Sequence, residues 1–229
     1  MIAMPPKAVI IDLDGTLVDT LDDFVAALNL MLRELRYDPV TRADVEPLVG
    51  KGSEHLVAQV LKLRASSAIK THTLGPGYIQ VAALTAYQRH YAKINGQHSS
   101  VYPGAFEGVQ ALHAAGIALA CLTNKPTVFA RELLRQKALL PYFAHVFGGD
   151  SFAEKKPSPL PVLKTCDSLG AAPQQVWMLG DSINDALAGQ AANCKTALVR
   201  YGYNHDRPIS DAPHELLVDS VLEFAGFVL

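Results

Sequence analysis

Cysteine is scarce in this chain: three residues, Cys121, Cys166 and Cys194, in 229. An odd and widely spaced set excludes a disulfide framework, and Cys121 lies inside an apolar run. The three therefore read as buried free thiols in a reducing cytoplasm. A charge excess of either sign is also missing. Lys and Arg number 20 against 22 Asp and Glu, a net charge of −2, and they form no basic stripe, so a nucleic-acid partner is not expected. No apolar run reaches the ~18 residues of a membrane span, and Met1 to Lys7 is too short for a signal peptide. The expectation is a cytoplasmic protein with no membrane partner. The eight histidines contain no pair at metal-ligand spacing and read as surface or packing residues.

What is present is an ordinary globular composition, 49% hydrophobic and 18% charged. The length suits one domain of moderate size or a core carrying an insertion. The chemistry starts early, in Ala8 to Thr20. The apolar run Ala8 to Ile11 reads as a buried parallel strand, stopped abruptly by Asp12, Leu13, Asp14, Gly15 and Thr16. If the extended geometry continues, Asp12 and Asp14 leave on the same side. Two like charges ~4 Å apart cost about 4 kcal/mol at an effective dielectric near 20. Such a pair needs a cation, a shared proton or a functional reason. A plain helix-capping turn would need only one of the two acids.

From about residue 18 to 98 the pattern is helical, with no convincing strand. Thr20 or Asp19 caps a long helix with Leu21, Phe24, Val25, Leu28, Leu32 and Leu35 on one face. Thr41 opens a shorter helix toward Leu48. Gly50 to Ser53 breaks the chain before a helix through Leu63, and Thr71 to Gly77 reads as a loop. Ile79 to Ile94 is helical again, with Val81, Leu84, Ala86, Tyr87 and Tyr91 as its buried side. Beyond residue 98 apolar runs alternate with helices: Ile117–Leu122, Val146–Phe147, Val176–Leu179, Thr196–Val199 and Leu216–Val218. That alternation predicts an α/β fold, a parallel sheet with helices on both faces. About 100 residues separate the first two runs, against roughly 30 for a βαβ unit. The excess implies an inserted helical cap, 18–98, in a discontinuous core, 1–17 and 99–229.

In a parallel sheet all strand ends of one polarity share an edge, where open α/β sheets bind ligands. Asp12, Asp14, Thr123, Asn124 and Asp181 fall at such ends, and Lys155–Lys156–Pro157 follows another. The prediction is a pocket of carboxylates, a hydroxyl and a lysine. Carboxylates without a His or Cys partner suit a hard cation, Mg²⁺, and Mg²⁺ points to a phosphate substrate.

Asp12–Leu13–Asp14–Gly15–Thr16, Thr123, Lys156 and Gly180–Asp181–Ser182–Ile183–Asn184–Asp185 resemble, in order and spacing, the four motifs of the haloacid dehalogenase-like phosphohydrolases. Leu122 to Thr127, Gly148–Gly149–Asp150 and Tyr201 to Asn204 bring the likeness closer to bacterial phosphoglycolate phosphatases. The resemblance implies a Rossmann-like parallel-sheet core with an inserted α-helical cap, hydrolysing a small phosphorylated metabolite, first of all 2-phosphoglycolate, with Mg²⁺. It implies Asp12 as nucleophile forming an aspartyl-phosphate. Asp14 would be general acid and then base, partly shielded with a raised pKa. Thr123, Lys156 and the backbone N–H of Asn124 would hold the transferring oxygens. The metal set would be Asp12, the Asp14 carbonyl, Asp181, and Asp185 from further out. Lys155 reads as a solvated charge, and Ser182 and Asn184 as turn-shaping residues. Gly50–Lys51–Gly52 lacks the third glycine of a dinucleotide fingerprint. Gly52 and Ser53 either receive a small anionic tail or form a plain interhelical turn. Other readings are a phosphatase of a sugar phosphate or pyrophosphate, a phosphoglucomutase, or a non-catalytic binding protein on the same fold. A cap over the site disfavours a phosphoprotein substrate. A monomer or weak homodimer is expected.

Overall fold

Ala8–Ile11 forms β1, buried along its whole length. Strand side chains alternate between the two faces of a sheet, so an unbroken apolar run means that both faces are covered. Val9 and Ile11 pack on one side with α5 (Ala105–Ala114), α6 (Thr127–Gln136) and α9 (Val221–Val228). Ala8 and Ile10 pack on the other with α7 (Leu160–Ser168) and α8 (Ile183–Ala191). The computed structural model describes residues 5–65, 76–205 and 207–229.

β1 pairs in parallel with β4 (Ala118–Leu122) on one side and β6 (Val176–Gly180) on the other. Beyond β4 lies β5 (His145–Phe147); beyond β6 lie β7 (Lys195–Val199) and β8 (Leu216–Val218). The order β5-β4-β1-β6-β7-β8 is parallel throughout. From β1 the chain steps outward to β4 and β5, then crosses back to β6. The neighbours of β1 thus depart in opposite directions, which opens a crevice at its carboxyl end.

The helices between residues 21 and 94 build a core of their own. They are α1 (Leu21–Glu34), the short α2 (Arg42–Val45), α3 (Ser53–Leu63) and α4 (Pro76–Ile94). Leu21, Phe24, Leu28, Met31 and Leu32 recur at helical spacing and pack on Val57 and Val60 of α3 and on Tyr87 and Tyr91 of α4. Phe24 and Tyr91 stack with ring centroids 5.5 Å apart.

The structure departs from the sequence reading at several points. Val18–Asp19 is a two-residue strand, β2, antiparallel to β3 (Ser100–Val101), so the outgoing and returning chains of the helical block are paired. Two residues are too few to carry a periodicity. Thr20 makes no side-chain cap; the N–H of Leu21 is received by Asp19 Oδ1 at 3.2 Å and by the phenolic oxygen of Tyr203 at 3.1 Å. The helix read from Ile79 begins at Pro76, so Pro76 and Gly77 are not loop; Thr71 and the residues up to 75 lie outside the described residues. Val81 is 67% exposed because the buried stripe of α4 runs through Ala83, Ala86, Tyr87 and Tyr91. Asp23 is fully buried on α1, accepting the N–H groups of Gly96 (2.8 Å) and His98 (2.7 Å) and pinning the returning chain.

Candidate active site

Just past β1 the chain makes a tight turn in which the Leu13 carbonyl accepts from the N–H groups of Leu17 and Val18, both at 3.0 Å. The two carboxylates of this turn part company. Asp12 turns toward Lys156, whose Nζ stands 2.9 Å from its Oδ1, whereas Asp14 Oδ1 accepts from Lys125 Nζ at 2.9 Å. The expected like-charge conflict is thus resolved by two separate lysines. Lys125 was not singled out as a site residue from the sequence; its position two residues past Thr123, at the end of a buried strand, is the signal that could have found it.

Asp181 follows β6, and Asp185 lies in the first turn of α8. Together with Asp12 they form a cluster whose ligand oxygens lie within 4.8 Å of one another, all three residues buried. Asp181 Oδ1 accepts from Thr16 Oγ1 at 2.7 Å and Oδ2 from the N–H of Tyr203 at 2.7 Å. Gly15 is required here: its φ is +89°, and a Cβ on it would come 2.2 Å from Asp181 Oδ2. Asp185 Oδ2 accepts from the N–H and hydroxyl of Ser182, at 3.2 and 2.8 Å, which closes the capping box of α8. Ser182 is therefore a turn-shaping residue.

Lys156 is buried; its Nζ donates to the Leu122 carbonyl (2.7 Å) and to Asp185 Oδ1 (2.6 Å) and stands as an ion pair against Asp12. Burial works against its charge, but Asp12 and Asp185 outweigh it and hold the ammonium above its ordinary pKa. One lysine does not balance three buried acids. At the separations in this cluster each carboxylate pair repels by about 3 kcal/mol at an effective dielectric near 20. Burial pushes the Asp12 carboxyl up to about 7, with Asp185 adding to the rise and Lys156 opposing it. Burial, then Asp185 and Asp12, push Asp181 well above the usual carboxylate range. Asp12 Oδ1 is buried and accepts no aligned hydrogen bond. An oxygen-only donor set with excess negative charge and an unsatisfied oxygen fits a hard divalent cation. The Asp14 carboxylate stands apart from this cluster, on Lys125.

Thr123 is buried, and its hydroxyl accepts from the N–H of Lys125 at 3.2 Å. Asn124 does not open a helix, since α6 begins three residues on. Its side chain instead clamps Lys156: Oδ1 accepts from the Lys156 N–H at 3.0 Å and Nδ2 donates to the Lys156 carbonyl at 2.8 Å. The same Nδ2 donates to the Gly50 carbonyl at 2.9 Å, and Asn184 reaches that carbonyl at 3.3 Å. Lys155 is not simply solvated; it pairs with Glu54 of α3 at 3.0 Å. Gly52 and Ser53, at the start of α3, line a cavity of about 40 Å³ with Asp12, Asp14, Thr123 and Lys125. The Tyr203 hydroxyl donates to Asp19 Oδ1 at 2.5 Å and receives the N–H of Thr20 at 2.9 Å.

Comparison with known proteins agrees with this arrangement. Residues 9–199 match the family model for haloacid dehalogenase-like hydrolases. A phosphoglycolate phosphatase of Nitrosospira multiformis is 39% identical over 220 residues, covering 96% of this chain and 94% of that protein. One from Thiobacillus denitrificans is 36% identical, covering 98% and 96%. A crystal structure described as a predicted phosphoglycolate phosphatase from Haemophilus somnus superposes with a TM-score of 0.92 at 29% identity, covering 97% of this chain and 98% of that one. With its six-stranded parallel sheet and its acidic cluster at the carboxyl end of β1, the chain belongs to the haloacid dehalogenase-like hydrolase family.

Proposed function

We infer that the protein is a Mg²⁺-dependent phosphomonoesterase that hydrolyses 2-phosphoglycolate to glycolate and phosphate. The observation that carries this is the convergence of Asp12, Asp181, Asp185 and Lys156 in one buried cluster beside a cavity lined by Asp14. A silent binding protein on this fold would have no need to hold three repelling acids together. The relatives named above support the choice of substrate.

In this reading residues 18–98 are the cap, and Asp12 is the nucleophile. One Asp12 carboxylate oxygen attacks phosphorus, the ester P–O bond breaks, and an aspartyl-phosphate forms. Asp14 gives its proton to the departing glycolate oxygen. It then takes a proton from the water that attacks the aspartyl-phosphate, which releases phosphate and restores Asp12. Lys156 and Thr123 face the transferring oxygens, where negative charge must be held. Asn124 acts on Lys156 through its two main-chain bonds rather than on substrate. Asp12, Asp181, the Asp14 carbonyl and, from further out, Asp185 would hold Mg²⁺. When bound it offsets the charge of the carboxylates and the phosphoryl group. The three free cysteines, all buried, support a cytoplasmic setting.

The test is phosphate release from a panel of small phosphoesters, with and without Mg²⁺, for wild type and Asp12→Asn. The expected result is Mg²⁺-dependent turnover with preference for 2-phosphoglycolate, lost in Asp12→Asn. Indifferent hydrolysis across the panel would overturn the substrate, and turnover by Asp12→Asn would overturn the mechanism.

A further inference from the structure

Lys125 is 5% exposed and is the one cationic side chain among the described residues lining the cavity. Its setting differs from that of Lys156. An ammonium has three donors. Lys156 donates to two protein oxygens and is ion-paired with a third, whereas among the described residues the hydrogen bond of Lys125 Nζ goes to Asp14 alone. Its other neighbours are ring faces, Phe24 at 4.5 Å and Tyr91 at 4.7 Å to the centroids, which attract the charge without accepting a conventional hydrogen bond. A buried ammonium with donors to spare, in a wall where Phe24, Val49, Leu56 and Tyr87 are the apolar members and no second cation stands among the described residues, is prepared for an anion brought by the ligand.

The place of Lys125 says which part of the ligand that is. It stands on Asp14, not on the Asp12–Lys156 cluster. On the reading above, Asp14 protonates the leaving-group oxygen, so Lys125 lies on the leaving-group side of the reacting phosphorus. In a phosphoester of a short α-hydroxy acid, the carboxylate is attached to the very carbon that bears that oxygen. A group beside Asp14 is therefore within reach of it.

We propose that Lys125 is the specificity residue that receives the substrate carboxylate, selecting phosphate esters of short α-hydroxy acids over neutral esters of the same length. The inference rests on the phosphatase reading and on the role given there to Asp14. The substrate carboxylate uses the free donors of Lys125, while Asp14 keeps its own. Ser53, the first residue of the 11-residue α3, lines the same cavity and brings its hydroxyl to it.

The experiment compares 2-phosphoglycolate with 2-hydroxyethyl phosphate, in which CH2OH replaces the carboxylate. The ratio of their kcat/KM values is read for wild type, Lys125→Met and Lys125→Arg. A charge-assisted hydrogen bond corresponds to roughly 10- to 100-fold. Wild type should prefer the carboxylate ester by about that factor, mainly through KM; Lys125→Met should bring the ratio to within about 3 of unity, and Lys125→Arg should keep most of the preference. Loss of the bond to Asp14 slows both esters alike and cancels from the ratio. Should Lys125→Met be too slow to assay, calorimetric binding of both esters in an Asp12→Asn background reads the same difference without turnover. An unchanged ratio in Lys125→Met overturns this inference alone. Wild type that hydrolyses neither ester overturns the phosphatase reading and this inference with it.

Discussion

Replacing Tyr203 by Phe removes one oxygen and tests whether the loop after β7 holds the start of the helical block. That oxygen donates to Asp19 Oδ1 at 2.5 Å and accepts the N–H groups of Thr20 at 2.9 Å and Leu21 at 3.1 Å. Leu21 retains a second acceptor in Asp19 Oδ1, so the new orphan is the N–H of buried Thr20. A buried donor left unpaired costs about 1–3 kcal/mol, and a hydrogen bond to a charged acceptor contributes about 1.5–3 kcal/mol. Asp19 is partly exposed, so the lower halves of these ranges apply and the sum is about 3 kcal/mol. At ~2–4 °C per kcal/mol for a chain of this size, Tyr203→Phe should melt roughly 6–12 °C below wild type by far-UV circular dichroism. The main-chain N–H that Tyr203 gives to Asp181 survives the change. The rise in Tm on adding Mg²⁺ should therefore be the same in both proteins. A Tm within ~2 °C of wild type, or loss of the Mg²⁺ response, would refute the argument.

The same bond carries a pH dependence. Burial raises the Asp19 pKa, but the Tyr203 hydroxyl, Arg42 and the N–H of Leu21 outweigh it and hold the carboxyl below 3.8. A depressed pKa contributes stability above the unfolded value that is lost as pH falls through the folded one. The stability gap between wild type and Tyr203→Phe should hold at neutral pH and narrow below about 3.8, measured by urea titration across that range. Asp181→Asn takes a carboxylate out of the set that would hold Mg²⁺, so its Tm should no longer respond to Mg²⁺. Lys156→Met strands the acids without their cation and should cost about 3–5 kcal/mol by urea titration, with phosphatase activity abolished. Gly15→Ala places a methyl on Asp181 in a left-handed turn, so it should abolish activity and weaken the Mg²⁺-induced rise in Tm.

Much of this was legible in the sequence because the residues concerned are fixed by local rules. The run Ala8–Ile11 is apolar on both faces, and it ends where the turn residues begin. That located β1 and, one residue on, Asp12. Ser182 reads from the sequence as a turn-shaping residue, and it is one, through the capping box it forms with Asp185 at the start of α8. What escaped depends on partners distant in the chain. Nothing near Lys125 reveals that Phe24 and Tyr91 cover it, nor anything near Lys155 that Glu54 meets it. Nor does anything next to Asp14 in the chain announce that Lys125 stands beside it. Tyr203 acts through a hydroxyl whose partners, Asp19 to Leu21, precede it by most of the chain. Val81 was assigned to the buried face on hydrophobicity alone, whereas the stripe of α4 is set by the tyrosines that stack within it.

The pairing of Val18–Asp19 with Ser100–Val101 means that the polypeptide goes out and comes home through a single doorway. Part of the entropy of closing that excursion is met at the threshold, by the main-chain bonds of β2 and β3 and by Asp23, which takes the N–H groups of Gly96 and His98. Whatever lies past the doorway can lengthen, shorten or exchange its helices without shifting the register of β1 between β4 and β6. Chemistry at the sheet and selectivity beyond it are thereby free to change at different rates.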